Sequence, residues 1–341
     1  MPSVLITGGA GYIGAVLAEM LLEEGHRVVV LDRLFFGPEP LASLQQQGNI
    51  EVVKGDVRSP EPRMFDGIDA VVHLAAISND PACDLDPQIS QTVNVDGTLQ
   101  TAKLAKGAGV PRFIFASSCS IYGDGHGEIL DEDSPKRPTS LYARTKVEAE
   151  SRLAELEDSD FSVTALRNAT AYGLSPRMRF DLVINIMTLH AYTRRRIYVL
   201  GQGKQWRPLV HVRDIARAFM SVMSAPRDLV AGQAFNVGSS TQNFEVIRIA
   251  QMIRDVVPHT EVEVVPDDPD KRNYHVNFDK IERVLGWKPE KSPYEGIVEI
   301  KQALERGKVD GTIQTRTVDY YRYLLEAEAV LREVSYEGAV F

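Results

Sequence analysis

Only two cysteines, Cys83 and Cys119, occur in 341 residues, and they form no CxxC pair. A disulfide scaffold is therefore excluded, and with no histidine cluster at zinc-ligand spacing there is no metal signature either. Positive charge is also scarce: 38 Lys and Arg against 47 Asp and Glu leave a net charge of −9. A nucleic-acid partner calls for a basic surface, so none is expected. A small phosphorylated ligand needs only a few well-placed arginines or backbone N–H groups. No apolar run approaches the roughly 18–20 residues of a membrane span. The chain opens directly on "MPSVLITGG", without the charged, apolar and cleavable parts of a signal peptide, and a cytoplasmic protein is expected.

What is present is ordinary for a globular enzyme, with 44% apolar and 25% charged residues. The length suffices for a large core and two lobes. In the first half, short β-branched runs ("SVLITGG", "RVVVLD", "IEVVKGD", "DAVVHLAA", "RFIFASS") alternate with helical stretches. Runs of this kind mark strands buried on both faces, and the βαβα order predicts an α/β fold with a doubly wound parallel Rossmann sheet. The pattern resumes in "PLVHVRDIARAF" and "AFNVGS". We therefore expect one domain over 1–171 plus 207–239, and a smaller C-terminal substrate-binding lobe over 172–206 plus 240–310. Residues 311–341 remain as a C-terminal helix and tail. The amphipathic "TVDYYRYLLEAEAVLREV" is expected to pack on its own chain, with an oligomer contact as the alternative.

"TGGAGYIG" carries Gly9-x-Gly11-x-x-Gly14 and also Gly8-x-x-Gly11-x-x-Gly14, after a predicted strand and at the start of a helix. That context makes it a dinucleotide-binding fingerprint, in which glycines let the backbone approach a pyrophosphate and the helix start offers free N–H donors. Asp32 ends the second strand, where a carboxylate holds the ribose hydroxyls and repels a 2′-phosphate, which favours NAD over NADP. Arg33 is the discordant neighbour, since an arginine there can accommodate that phosphate. Asp56 ends the third strand and can accept from an adenine amino group.

Tyr142 and Lys146 in "YARTK" lie four apart and share one helix face. Pro138, Thr139 and Ser140 set the start of that helix. A phenol titrates near ~10 when unperturbed, and a lysine ammonium one turn away favours its ionised form. Ser117 or Ser118, at a strand end, can donate to the same substrate oxygen. Such a set suits removal of a hydroxyl proton while a nicotinamide accepts the geminal hydride.

Taken together, "TGGAGYIG", "GDV", "HLAA", "NVDGT", "SSCSIYG", "YARTK", "LRNATAYG" and "VHVRDIA" resemble the extended short-chain dehydrogenases/reductases, the nucleotide-sugar epimerase/dehydratase family. The resemblance runs from residue 3 to about 300. It implies bound NAD, contacted by Gly8, Gly11, Tyr12, Ile13, Gly14, Asp32, Asp56, Val57, Lys146 and a channel of Leu74, Ala75, Ala76 and Asn94. It assigns the catalytic hydroxyl to Ser118, beside Tyr142 and Lys146, and implies a nucleoside-diphosphate sugar as substrate. Asn185, Arg207 and Arg272 match positions that contact that sugar nucleotide, and guanidinium groups suit diphosphate oxygens. Thr170 stands where many members carry Asn, so one substrate hydrogen bond is altered. The resemblance also implies a homodimer, through the helices after "NVDGT" and "YARTK".

The same resemblance filters the reaction. The family's 4,6-dehydratases carry Asp-Glu directly after the catalytic hydroxyl, and its UDP-glucuronate decarboxylases carry Glu at the second of these positions. Here those places hold Cys119 and Ser120. Epimerases acting at C3 and C5 place a Cys two residues before the strand-end Tyr; Cys119 lies three before Tyr122, so it is expected to pack, with an acid/base role as the alternative. Oxidation and reduction at one sugar carbon, usually C4, remains: a 4-epimerase, or a 4-dehydrogenase or 4-ketosugar reductase. The rival from another class is a catalytically silent NAD-binding regulator, against which the intact Ser118, Tyr142 and Lys146 argue.

Overall fold

A computed structural model of the chain describes residues 2–266, 273–336 and 339. Its centre is a parallel seven-stranded sheet, as the apolar runs predict. The first five strands are β1 (Ser3–Thr7), β2 (Arg27–Asp32), β3 (Ile50–Lys54), β4 (Ala70–His73) and β5 (Arg112–Ser118). Strands Ser162–Asn168 and Ala234–Val237 extend the sheet beyond β5, giving the order Ala234–Val237, Ser162–Asn168, β5, β4, β1, β2, β3. Chain order reverses between β1 and β4, which opens a crevice at the carboxyl ends of the strands.

Alternation along β1 divides the core between two layers. Val4 and Ile6 face a cluster that includes helices Tyr12–Glu23 and Val212–Ser224. Leu5 faces another built from helices Thr98–Gly107 and Leu141–Ala154. All three β1 residues are fully buried, which explains a strand that reads as one apolar run.

Not every expected element joins this sheet. The strand anticipated at 207–211 forms as Trp206–His211 but pairs in parallel with Thr170–Tyr172 and antiparallel with Asn243–Glu245, in a separate three-stranded sheet. Its sequence resembles a core strand because all of Arg207–His211 is buried. The helix that follows returns to the main sheet. The end of the chain forms helix Thr317–Val334, which lies on its own chain against Phe35 and Phe36. Among the described residues no helix is long and apolar enough to cross a membrane.

Candidate active site

The glycine turn sits at the strand-order reversal. Gly8 has φ of +74°, and a Cβ there would come within 2.8 Å of the Ala75 nitrogen, so β1 and the chain after β4 approach as only glycine permits. At Gly14 a Cβ would lie 2.6 Å from the Gly9 Cα. The helix beginning at Tyr12 has Gly11 as its N-cap and no side-chain cap, so its first N–H groups are unclaimed.

A cavity of about 420 Å³ opens from this turn, lined by Gly8, Gly11, Asp32, Asp56, Ala75 and Ala116 among others. Tyr12, Ile13, Gly14, Val57, Leu74 and Ala76 line it too. Asp32 accepts from Ala10 N at 3.0 Å and Leu34 N at 2.8 Å, one bond to each carboxylate oxygen, which leaves lone pairs for a ligand hydroxyl. Burial raises its pKa against those two bonds and the nearby charge of Arg177. Arg33, the discordant neighbour, donates Nη1 to Asp56 at 2.5 Å and lies over the Phe35 ring. Arg58 also pairs with Asp56, at 2.7 Å, and Asp56 is held well below the usual carboxylate range. Uncapped helix N–H groups, a glycine cradle and a carboxylate with free lone pairs on one cavity fit a dinucleotide.

Asn94 is placed differently from the expectation that it lines the channel. It is fully buried in a π-helical turn, accepts from Ile77 N and donates to Ile77 O and Thr145 Oγ1. It braces the loop that follows the cavity wall.

Helix Leu141–Ala154 starts where the sequence indicates, with Ser140 accepting from Ala143 N at 3.2 Å. Lys146 is 3% exposed and donates to Ala116 O at 2.7 Å, with its ammonium 5.7 Å from the Tyr142 ring centre. One of its three donors is thus used. Burial pulls its pKa down to about 8, against Cys83 and Glu150. Burial likewise pushes the Tyr142 phenol up, seconded by Cys83 and Asp80, while Arg179 and a hydrogen bond with Ser118 act against it. Ser117 is spent elsewhere: it donates to Glu150 at 2.5 Å, inside a buried network in which Arg167 and Lys136 also hold Glu150.

Ser118 ends β5, and the next four residues form a 3-10 turn, Cys119–Tyr122, rather than a continued strand. Strand alternation therefore does not govern Cys119. Its side chain still turns inward: it is fully buried, donates to Arg167 O at 3.1 Å, and burial pushes its thiol up. Ser120 donates both its N–H (3.2 Å) and its hydroxyl (3.0 Å) to Ser118 Oγ. Both lone pairs of Ser118 are thereby occupied, and its proton is left to donate outward, towards Tyr142.

On helix Val183–Arg194, Asn185 is fully buried and bonded throughout. It accepts from Gly173 N at 3.1 Å and donates to Tyr12 Oη at 3.2 Å and Arg179 O at 2.9 Å. Tyr12 Oη donates to Gly173 O at 2.7 Å, and Ser175 Oγ donates to Tyr12 O at 2.7 Å. These residues form a seam between the fingerprint helix and the lobe. Arg207 is 6% exposed and donates to Trp206 O; Thr170 is half-buried beside Ala171, which lines the cavity. Arg272 lies outside the described residues. Sequence reasoning missed Arg177, Arg179 and Asp181. Arg179 makes a bidentate pair with Asp181 (3.1 and 2.8 Å) and donates to Ser78 Oγ at the cavity wall. The alternating charges of "SPRMRFD" were the only local signal for them.

Comparison with known proteins agrees with this geometry. Residues 4–238 match the model of the NAD dependent epimerase/dehydratase family. The chain is 32% identical to UDP-glucose 4-epimerase of Mycolicibacterium smegmatis, over 86% of this chain and 95% of that one. It is 28% identical to UDP-glucuronic acid decarboxylase 1 of Danio rerio, over 89% of this chain and 72% of that one. It superposes with a TM-score of 0.80 and 25% identity on dTDP-glucose 4,6-dehydratase of Streptomyces venezuelae solved with NAD, covering 90% of this chain and 99% of that one. The chain belongs to the NAD-dependent epimerase/dehydratase family, enzymes of the extended short-chain dehydrogenase/reductase class, and its cofactor is NAD.

Proposed function

We propose that the protein oxidises and re-reduces C4 of a nucleoside-diphosphate sugar, as a nucleotide-sugar 4-epimerase does. The observation that carries this reading is the state of the two positions after Ser118. Cys119 is sealed in the core with its thiol on Arg167 O, and Ser120 is committed to Ser118. Neither offers an acid or base at C5 or C6. The relatives span epimerases, dehydratases and decarboxylases, and dehydration and decarboxylation need the groups missing here.

Tyr142 is the base for the C4 hydroxyl proton, and Ser118, oriented by Ser120, donates to the same oxygen. Lys146, held by Ala116 O, keeps a positive charge under the phenol and so favours phenolate. Gly8, Gly11 and Gly14 with the uncapped helix would hold the pyrophosphate of NAD, and Asp32 would hold a ribose. NAD held there would supply the acceptor for the C4 hydride and the donor for its return. Thr170 and Arg207 are the lobe residues we assign to the sugar nucleotide. Incubation with UDP-, GDP-, dTDP- and CDP-sugars, followed by mass and NMR analysis, tests the reading. An isomer of unchanged mass is expected. Loss of water or of carbon dioxide would overturn the assignment, and loss of two hydrogens would convert it to a dehydrogenase.

A further inference from the structure

The cavity is closed on one side by chain that the glycine fingerprint does not announce. Helix Thr317–Val334 lays Tyr321, Leu324 and Leu325 against it. The helix is anchored on the aromatic pair that follows Asp32: Tyr321 meets Phe35 at 6.0 Å and Phe36 at 5.4 Å, and Tyr320 meets Phe36 at 5.3 Å between ring centres. Arg177 is built into this contact. Its guanidinium carbon stands 3.7 Å above the centre of the Phe36 ring, and Nη2 donates to Thr317 Oγ1 at 3.0 Å.

Arg177 is only 6% exposed and lines the cavity, yet its buried Nε has no hydrogen-bond partner among the described residues. An unsatisfied donor on a buried cation is costly unless something anionic meets it. Burial and the nearby Arg179 together hold its pKa at about 10. Of the chemical parts of a dinucleotide, the pyrophosphate is the anionic one, and a guanidinium suits its oxygens.

We propose that Arg177 and the inner face of the C-terminal helix form a second half of the dinucleotide site, with Arg177 donating to the pyrophosphate and Tyr321 and Leu325 walling the adenosine. This rests only on NAD occupying the cavity and is independent of which sugar carbon reacts.

Calorimetric titration of cofactor-stripped protein with NAD, ADP-ribose and adenosine tests the proposal without recourse to activity. For Arg177→Gln, affinity for NAD and ADP-ribose is expected to fall about tenfold to hundredfold, the worth of a hydrogen bond to a charged group, and adenosine affinity to fall less, through the weakened anchor on Phe36 and Thr317. Tyr321→Ala is expected to weaken all three ligands. Val330→Ala, on the exposed side of the same helix, should weaken none. Wild-type affinity for ADP-ribose in Arg177→Gln, or an equal loss for adenosine, would overturn the role of Arg177. Wild-type adenosine affinity in Tyr321→Ala would overturn that of the helix. Should Arg177→Gln not fold, Arg177→Lys carries the same test: a loss greater for the phosphate-bearing ligands than for adenosine supports the proposal, and uniform or absent loss overturns it.

Discussion

Gly8–Gly14 and Gly173–Asn185 both contribute to the wall of the site, the second through Arg177 and Arg179, and their polar groups are used in opposite ways. Around the first, the N–H groups at the start of helix Tyr12–Glu23 have no cap, and Asp32 accepts only one bond per oxygen. In the second, Asn185 bonds Gly173, Tyr12 and Arg179, while Arg179 is closed on Asp181 and Ser78. One segment is prepared to meet a ligand, and the other is chiefly fastened to the first. A polar motif residue therefore has a different meaning in each, and only the free groups, Arg177 Nε above all, mark a binding role in the second.

The contrast can be broken by substitution. Tyr142→Phe, on the reacting side, is expected to lower turnover by about 10²–10⁴-fold, the usual contribution of a positioned acid or base. NAD should remain bound, which absorbance of the purified protein reads directly; unchanged turnover would remove Tyr142 from the chemistry. Asn185→Ala acts on the fastened side and strands Gly173 N and Arg179 O, while Tyr12 Oη keeps its bond to Gly173 O. A stability loss of about 1–3 kcal/mol is expected by denaturant titration. Should the Michaelis constant for the sugar nucleotide rise while stability is unchanged, Asn185 is a ligand residue and the division fails. Cys119→Ala should have the smallest effect, a stability cost of at most about 1–2 kcal/mol with turnover unaltered. A large loss of rate there would restore an acid/base role to the thiol.

What could be read from the sequence was what neighbours along the chain determine. Glycine spacing after a strand, a carboxylate at the next strand end, and a Tyr and Lys one helical turn apart are local patterns, and their geometry follows from strand and helix periods. Ser118 could be separated from Ser117 only by resemblance; that Ser117 is held by Glu150 depends on a contact distant in sequence. The remainder depends on contacts distant in sequence. Arg33 is answered by Asp56 from the adjacent strand end. Trp206–His211 reads as a core strand yet pairs outside the main sheet, because burial alone does not say which strands are its neighbours. Arg177 acquires significance only once Thr317 and Phe36 are beside it.

In the proposed reaction hydrogen leaves and returns at C4 with no acid or base acting at C5 or C6. Running the sugar-nucleotide panel in deuterated water, with NMR of the product locating any deuterium, distinguishes this from the alternatives. An isomer of the substrate with no deuterium on any carbon is expected. Deuterium at C5 or C6, or a product that has lost water or carbon dioxide, would contradict it.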